Sequence, residues 1–576
     1  MCIRDRYTYE WKEMPLVSKG KDNFKNFLET GFITNNNISI SQTGKYGSFR
    51  SSLSHVYNKG QYPNQRLNKI TYSVGGDMKF GKLSFEGGAI YNKRFYPNGE
   101  GAGYGGGGYI YNLLVWTGTD YDVRDYKNYW RKKDEEQNWM NDVWYDNPYY
   151  LAHEMTSSND YDKVNTYLSG KYDIMPWLNF SMRAGADAYA SRTEKKNAMS
   201  ARGGWDKNGY FYTSKSTGFS FNGDALLSAN HSFGDFAIDG FVGGTIYYYY
   251  DDAISSNTRN GLSIPGYYSL KASVDPIASS SSYKQKQVNS IYGKFSASWK
   301  STVFVDVTAR NDWSSTLPIN NRSYFYPSIS GSFIFTELME NKDILNYGKI
   351  RLSYANVGSD EDPYNLAFKY TPASTYFLQY LGNVNTFPHM GLVGFTGPRV
   401  LPNENLKPQN QSSFEVGADL RFFGGKIRLD MTYYSNITKN QIVSIDVPLS
   451  TGYFANNINA GKIANKGVEV TLGLTPVETR DFKWDLDATF ASNKQTVEEL
   501  AEGLDEYTLT SGLSGLQIKA AKGDSFGLYG TGWKRDDQGN YVINSKTGLR
   551  ETVNNVRLGD VYPDFTMGIN NTFTYK

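Results

Sequence analysis

Arg310, Asp312 and Trp313 open the stretch RNDWSSTLPINNRSYFYP (310–327), which puts a cation, a carboxylate and an indole side by side. Such a trio could grip or protonate a substrate. Other stretches carry the outline of ligand loops. GAGYGGG (101–107) holds a formal Gly-x-Gly-x-x-Gly at Gly101, Gly103 and Gly106. That pattern binds a dinucleotide only between a strand and a helix of a βαβ unit. Its neighbours YPNGE and GYIYNLLVW make no such unit, so it reads as a flexible loop. DKNG (206–209) and DDQG (536–539) begin like calcium loops, but Thr217 and Thr547 stand where the closing Glu belongs. Asp, Asn and Gly in that order serve hairpin turns. DEDP (360–363) reads as a solvated acidic loop.

His55, His153, His231 and His389 lie far apart, with neither His-x-x-x-His nor Glu-x-x-His spacing, and Cys2 is the single cysteine. No metal site, cofactor site or disulfide framework is read from them. No nucleophile–base–acid order, paired-carboxylate arrangement or P-loop emerges, and the residues make no case for an enzyme. The 60 basic and 58 acidic residues nearly cancel, which removes any bulk attraction for nucleic acid.

The segment IYNLLVWTGTDYDVRDYKNYWRKK (110–133) is the richest candidate for recognition. Trp116, Tyr121, Tyr126, Tyr129 and Trp130 interleave with Asp120, Asp122, Arg124 and Asp125. Aromatic faces with nearby charge suit sugar rings, peptides or a docking protein. The plain alternative is that the rings pack the loop against itself.

The elements that must position these residues follow a period of two. Phe414, Val416, Ala418, Leu420 and Phe422 share a face, opposed by Glu415, Gly417, Asp419 and Arg421. The turn FGGK (423–426) leads to Ile427, Leu429, Met431 and Tyr433, opposed by Arg428, Asp430, Thr432 and Tyr434. This is a hairpin with one apolar and one charged face. Roughly 17 such segments recur, many of about 9–11 residues or more, the length of a tilted membrane strand. Short turns (FGK, IMPW, SFGD, WKST, FFGGK, PVETRDF) alternate with long polar or aromatic stretches at 94–162, 192–216, 251–284, 359–409 and 496–558. Trp177, Trp299, Phe423 and Trp484 sit at or near the short turns, where an interfacial girdle belongs. No run approaches the roughly 18 apolar residues of a membrane helix. Aromatics reach 16%, with 47 Tyr and 57 Gly, which fits strands rather than stacked α/β domains. The fold class is all-β, a transmembrane antiparallel barrel. A soluble β-rich binding protein and a passive structural or adhesive barrel are the alternatives.

Several segments together resemble the SusC/RagA family of TonB-dependent outer-membrane transporters. They include IYNLLVWTGTDYDVRDY (110–126), NPYYLAHEM (147–155), ARNDWSSTLPINNRSYFYPSIS (309–330) and KIRLSYANVGSD (349–360). LKPQNQSSFEVGADLRFF (406–423), STGYFANNINAGKIANKGVEVTL (450–472) and GDVYPDFTMGINNTFTYK (559–576) complete the set in the family's order. The resemblance implies a 22-stranded barrel with a plugged lumen in the bacterial outer membrane. It implies import of oligosaccharide or peptide, a SusD-like lipoprotein over the mouth, and energy from TonB–ExbB–ExbD acting on an N-terminal plug.

On this reading residues 1–32 are a residual N-terminal segment: Met1–Arg6 are not a native start, and the rest is the end of the plug or its linker. Residues 33–576 are barrel, without plug and without the last strands, and such a piece is not expected to transport alone. Strand alternation turns Asp306, Arg310, Asp312 and Asp430 into lumen-facing wall residues, and leaves Trp116, Tyr121, Arg124, Tyr126, Tyr129 and Trp130 as loop candidates for ligand or partner.

Overall fold

The computed structural model describes the chain apart from residues 1, 5–10, 14–16, 99–107, 141–144, 203–206, 365–367, 373–391, 404 and 513–514. The glycine-rich loop 101–107, Asp206 and His389 lie outside the described residues. Two compact units are present. The first holds residues 1–173, 181–224 and 247–285; the second holds 174–180, 225–246 and 286–576.

Among the described residues, seventeen strands are assigned to one large sheet. They are β1 Phe32–Gly44, β2 Gly47–Lys59, β3 Arg66–Phe80, β4 Leu83–Asn98, β5 Met155–Met175 and β6 Leu178–Asn197. Next come β7 Tyr210–Phe233, β8 Phe236–Leu262, β9 Ser273–Trp299, β10 Val303–Ser314, β11 Ser323–Ile334 and β12 Leu345–Ser359. The series ends with β13 Gln409–Phe422, β14 Ile427–Lys439, β15 Lys462–Glu478, β16 Phe482–Glu499 and β17 Thr566–Tyr575.

In the first unit β1 to β5 form an antiparallel meander, from Phe32↔Lys59 through to Leu83↔Tyr172. In the second, β9 to β17 do the same, with sequential neighbours paired throughout. Gly424 and Gly425 take φ of 69° and 86° in the β13–β14 turn, a region where a side chain costs energy.

The apolar face is the exposed one. Ile291 is 59% exposed, Ile329 51% and Met567 65%, each among apolar neighbours on its own side of the sheet. A soluble protein would cover such a face, because a contiguous apolar surface in water is costly. Hydrocarbon reverses that preference, and such segments read apolar on one side and polar on the opposite side. No helix among the described residues is long and apolar enough to cross a membrane.

Strand extents differ from the sequence reading at the long connections. β8 and β9 each run 27 residues, so much of the stretch 251–284 is strand rather than loop. Hydroxyl pairs replace apolar packing there: Ser255 and Ser280 Oγ lie 2.9 Å apart, Ser256 and Ser279 2.8 Å. The stretch 496–558 holds most of a four-stranded sheet of its own, Glu506–Ser511, Gln517–Ala521, Gly527–Trp533 and Thr552–Asp560. Polar composition concealed both, since strands surrounded by water need no apolar run. Just past β11 the chain leaves the sheet in a 3-10 turn, Phe335–Leu338.

Candidate functional site

The loop between β4 and β5 that holds the candidate recognition residues belongs to the first unit and folds with three short helices, α1 Asn23–Phe27, α2 Tyr109–Val115 and α3 Pro148–Glu154. Asn147 caps α3, its side-chain oxygen accepting from Tyr149 N at 2.8 Å, and Pro148 occupies the first turn, where no N–H is needed. The Asn147 amide also donates to the Tyr126 and Asn138 carbonyls at 2.9 and 2.8 Å. Gln137 completes the knot. Its Nε2 donates to Asp146 at 2.6 Å and its oxygen accepts from Asn147 N at 3.0 Å.

Tyr121 and Tyr126 are buried in this cluster, with ring centroids 5.7 Å apart and both set edge-on against Trp139. Their rings are taken up by packing within the cluster. Burial also pushes the Tyr121 phenol up to about 12. Tyr129 and Trp130 are half-buried and both donate to Glu154 of α3, at 2.9 and 3.3 Å. Trp116 is different. It is half-exposed at the end of α2 and lies 4.9 Å from Tyr145 in a near-parallel stack, with Tyr111 edge-on to both rings. Arg124 is exposed and bound to Asp122, which holds that carboxyl below its ordinary range. Of the loop candidates, Trp116 and Arg124 therefore present groups to solvent, and Tyr111 and Tyr145 join Trp116. Neither tyrosine stood out in the sequence, because nothing local says that residues 111, 116 and 145 meet.

In the second unit the four predicted wall residues share the polar face. Asp306 accepts from Ser296 Oγ at 2.5 Å and pairs with Lys294 at 3.3 Å. Arg310 Nε donates to Asp312 at 2.7 Å, its Nη2 donates to Ser290 Oγ at 2.7 Å, and Tyr326 also bonds Asp312. Arg310 and Asp312, which beside Trp313 looked like a catalytic group, thus form a cross-strand clamp over β9, β10 and β11 with Ser290 and Tyr326. Asp430 receives Arg351 bidentately at 2.8 and 2.7 Å.

That last pair spans three strands. Arg351 faces Gly417 on β13, and Gly417 faces Thr432 on β14. A Cβ at Gly417 would sit 2.5 Å from the Arg351 Nε, so glycine lets the guanidinium lie flat across β13 and reach Asp430. The device repeats one hairpin on: Arg428 crosses Gly473 to Asp487, and a Cβ there would meet Nε at 2.7 Å. Sequence reading put Arg428 and Asp430 on the charged face but did not single out Arg351 or pair any of them, since the facing glycine is visible only once register is known. Among the described residues no group of His, Cys, Asp and Glu could hold a metal ion.

A family model described as "TonB dependent receptor-like, beta-barrel" matches residues 91–576. The chain belongs to the TonB-dependent receptors. The receptor's strands therefore have the outer-membrane barrel fold, and the family is one of transport proteins rather than enzymes. It is similar to TonB-dependent receptor P3 of Formosa agariphila, 24% identical over 75% of this chain and 45% of that protein. It is also similar to TonB-dependent receptor SusC of Bacteroides thetaiotaomicron, 26% identical over 39% of this chain and 22% of SusC. Among solved structures, the RagAB peptide transporter superposes with a TM-score of 0.78 at 18% identity, covering 97% of this chain and 62% of that one. The chain spans less than half the length of the curated relatives it matches.

Proposed function

We propose that the whole protein is a SusC-like outer-membrane importer of oligosaccharide or peptide, and that residues 33–576 belong to its barrel. The observation that carries this reading is the pairing of an exposed apolar face with an opposite face of satisfied ion pairs, Arg310–Asp312, Arg351–Asp430 and Arg428–Asp487. Charge costs little where water is present and much where lipid is, so the charged face lines a lumen. Asp306, Arg310, Asp312 and Asp430 are then wall residues that hold strands in register rather than reacting groups. The Trp116–Tyr145–Tyr111 platform and Arg124 are the loop groups that meet ligand or partner. Support for a SusD-like lipoprotein partner comes from the similarity to SusC and to the RagAB pair. RagAB is a peptide transporter, which keeps peptide beside glycan as the cargo. Energy coupling through TonB–ExbB–ExbD belongs to the family as a whole.

The test uses the full receptor with its neighbouring lipoprotein, returned to a host that lacks both. Uptake of labelled oligosaccharide and peptide panels is followed with and without the inner-membrane energy system. Uptake of one class that stops without the energy system is the expected result. Size-dependent leakage indifferent to that system would instead mark a passive barrel.

A further inference from the structure

The exposed apolar face carries a notch beside the turn between β7 and β8, wholly within the second unit. It encloses about 450 Å³. The turn has two residues, 234 and 235, and its flanking rings Phe233 and Phe236 stack 6.0 Å apart. Counting back from it sets Ala229 opposite Gly240, a small pair on this side of the hairpin. Leu227 and Val242 stand above that pair, Ile238 below it and Phe295 of β9 beside it. The floor is backbone: a Cβ on Gly240 would lie 2.7 Å from the Lys294 carbonyl oxygen.

The rim toward the turn is polar. His231 lies against Phe233, ring centroids 6.1 Å apart, and Trp177 of the preceding turn is fixed by the 2.8 Å bond from Asn230 N to its carbonyl. An imidazole and an indole here can bond to an ester or phosphate, and interfacial aromatics belong at that depth. The body of the notch is apolar and would not hold water. What covers it in place is lipid, since it opens on the membrane face of an outer-membrane barrel. Short turns lie on the periplasmic side, where the leaflet is phospholipid.

We propose that this notch is a binding site for one phospholipid of the periplasmic leaflet, its acyl chain over Ala229 and Gly240 and its ester or phosphate at His231 and Trp177. Lipid tails are as apolar as leucine, so apolarity alone cannot hold one lipid in preference to the next. Shape and the polar rim supply the preference: a rigid recess in a flat sheet gives one chain more contact than its neighbours have.

The experiment is native mass spectrometry of the full receptor extracted in mild non-ionic detergent. The wild-type barrel should retain one phospholipid. Ala229→Leu and Ala229→Phe, which fill the notch without touching the close approach at Gly240, should lose it. Ile329→Leu, on the same face but away from the notch, should keep it. Heat-dependent electrophoretic mobility confirms that each variant is folded. Retention of the phospholipid by folded Ala229→Phe, its absence from wild type, or lipopolysaccharide in its place would overturn the assignment.

Discussion

Tyr126 and Trp116 sit ten residues apart in one aromatic loop, yet they should respond differently to truncation. Tyr126→Ala opens a hole against Tyr121 and Trp139 and should destabilise the loop by about 3–5 kcal/mol, read as a lower melting temperature. Trp116→Ala should leave melting nearly unchanged and weaken ligand or lipoprotein binding, read by titration of the full receptor. Equal melting losses at both positions would show that Trp116 also packs the loop.

Asp146 gives a pH signature at the same scale. It is fully buried, and desolvation pushes its carboxyl up to about 6 against bonds from Gln137 and the Arg202 N–H that favour the charged form. A carboxyl raised in the folded state takes up its proton before the unfolded chain does, whose ordinary value is 3.8. Stability of this loop is therefore greatest at low pH and falls as pH rises from about 4 through about 6, by about 3 kcal/mol in all. Hydrogen exchange at Leu151, corrected for the intrinsic rate, should show that slope. Asp146→Asn should flatten it, and an unchanged slope in that variant would assign the effect elsewhere.

At the scale of the strand, the two faces of β14 make opposite demands. Leu429→Arg places a charge on the apolar side and should cost about 2–4 kcal/mol near the midplane. Thr471→Arg, on the polar side opposite Asp430, should be mild. Thr432 is a poorer control than alternation alone indicates, because its hydroxyl already accepts from Arg351 at 2.5 Å. Gly417→Val tests the crossing arginine. It should displace Arg351 from Asp430 and cost about 1–3 kcal/mol through overpacking. Refolding yields and urea titration of the full receptor in detergent measure all three, and a silent Gly417→Val would mean that the arginine finds Asp430 by another route.

For the whole molecule, the outer four-stranded sheet is a separable attachment. It meets the end of β16 through Val497 N to Asp524 O at 2.8 Å and Gly523 N to Val497 O at 2.7 Å. Beyond it, Arg550 lies over both Trp533 and Tyr541, and Arg535 over Tyr541, a stack that ties the tip to itself. Replacing residues 535–550 by a short turn should leave heat-dependent mobility intact, because no barrel pairing is removed. If folding fails instead, the tip contributes to assembly of the barrel.

Alternation, turn residues and aromatic placement were enough to read an all-β membrane fold and its charged face, because each strand's period of two is a local property. That Arg310 and Asp312 share the charged face of their strand followed from parity alone. Register is not local. Which arginine crosses which glycine, that Trp116 meets Tyr145, and that Tyr121 and Tyr126 turn inward depend on contacts between segments far apart in the chain. Polar strands such as Ser273–Trp299 were hidden for a related reason: their hydrogen bonds are made by neighbours, and composition does not record who those neighbours are. Periodicity determined what kind of surface each strand offers, and only the tertiary structure decided which side chains share it.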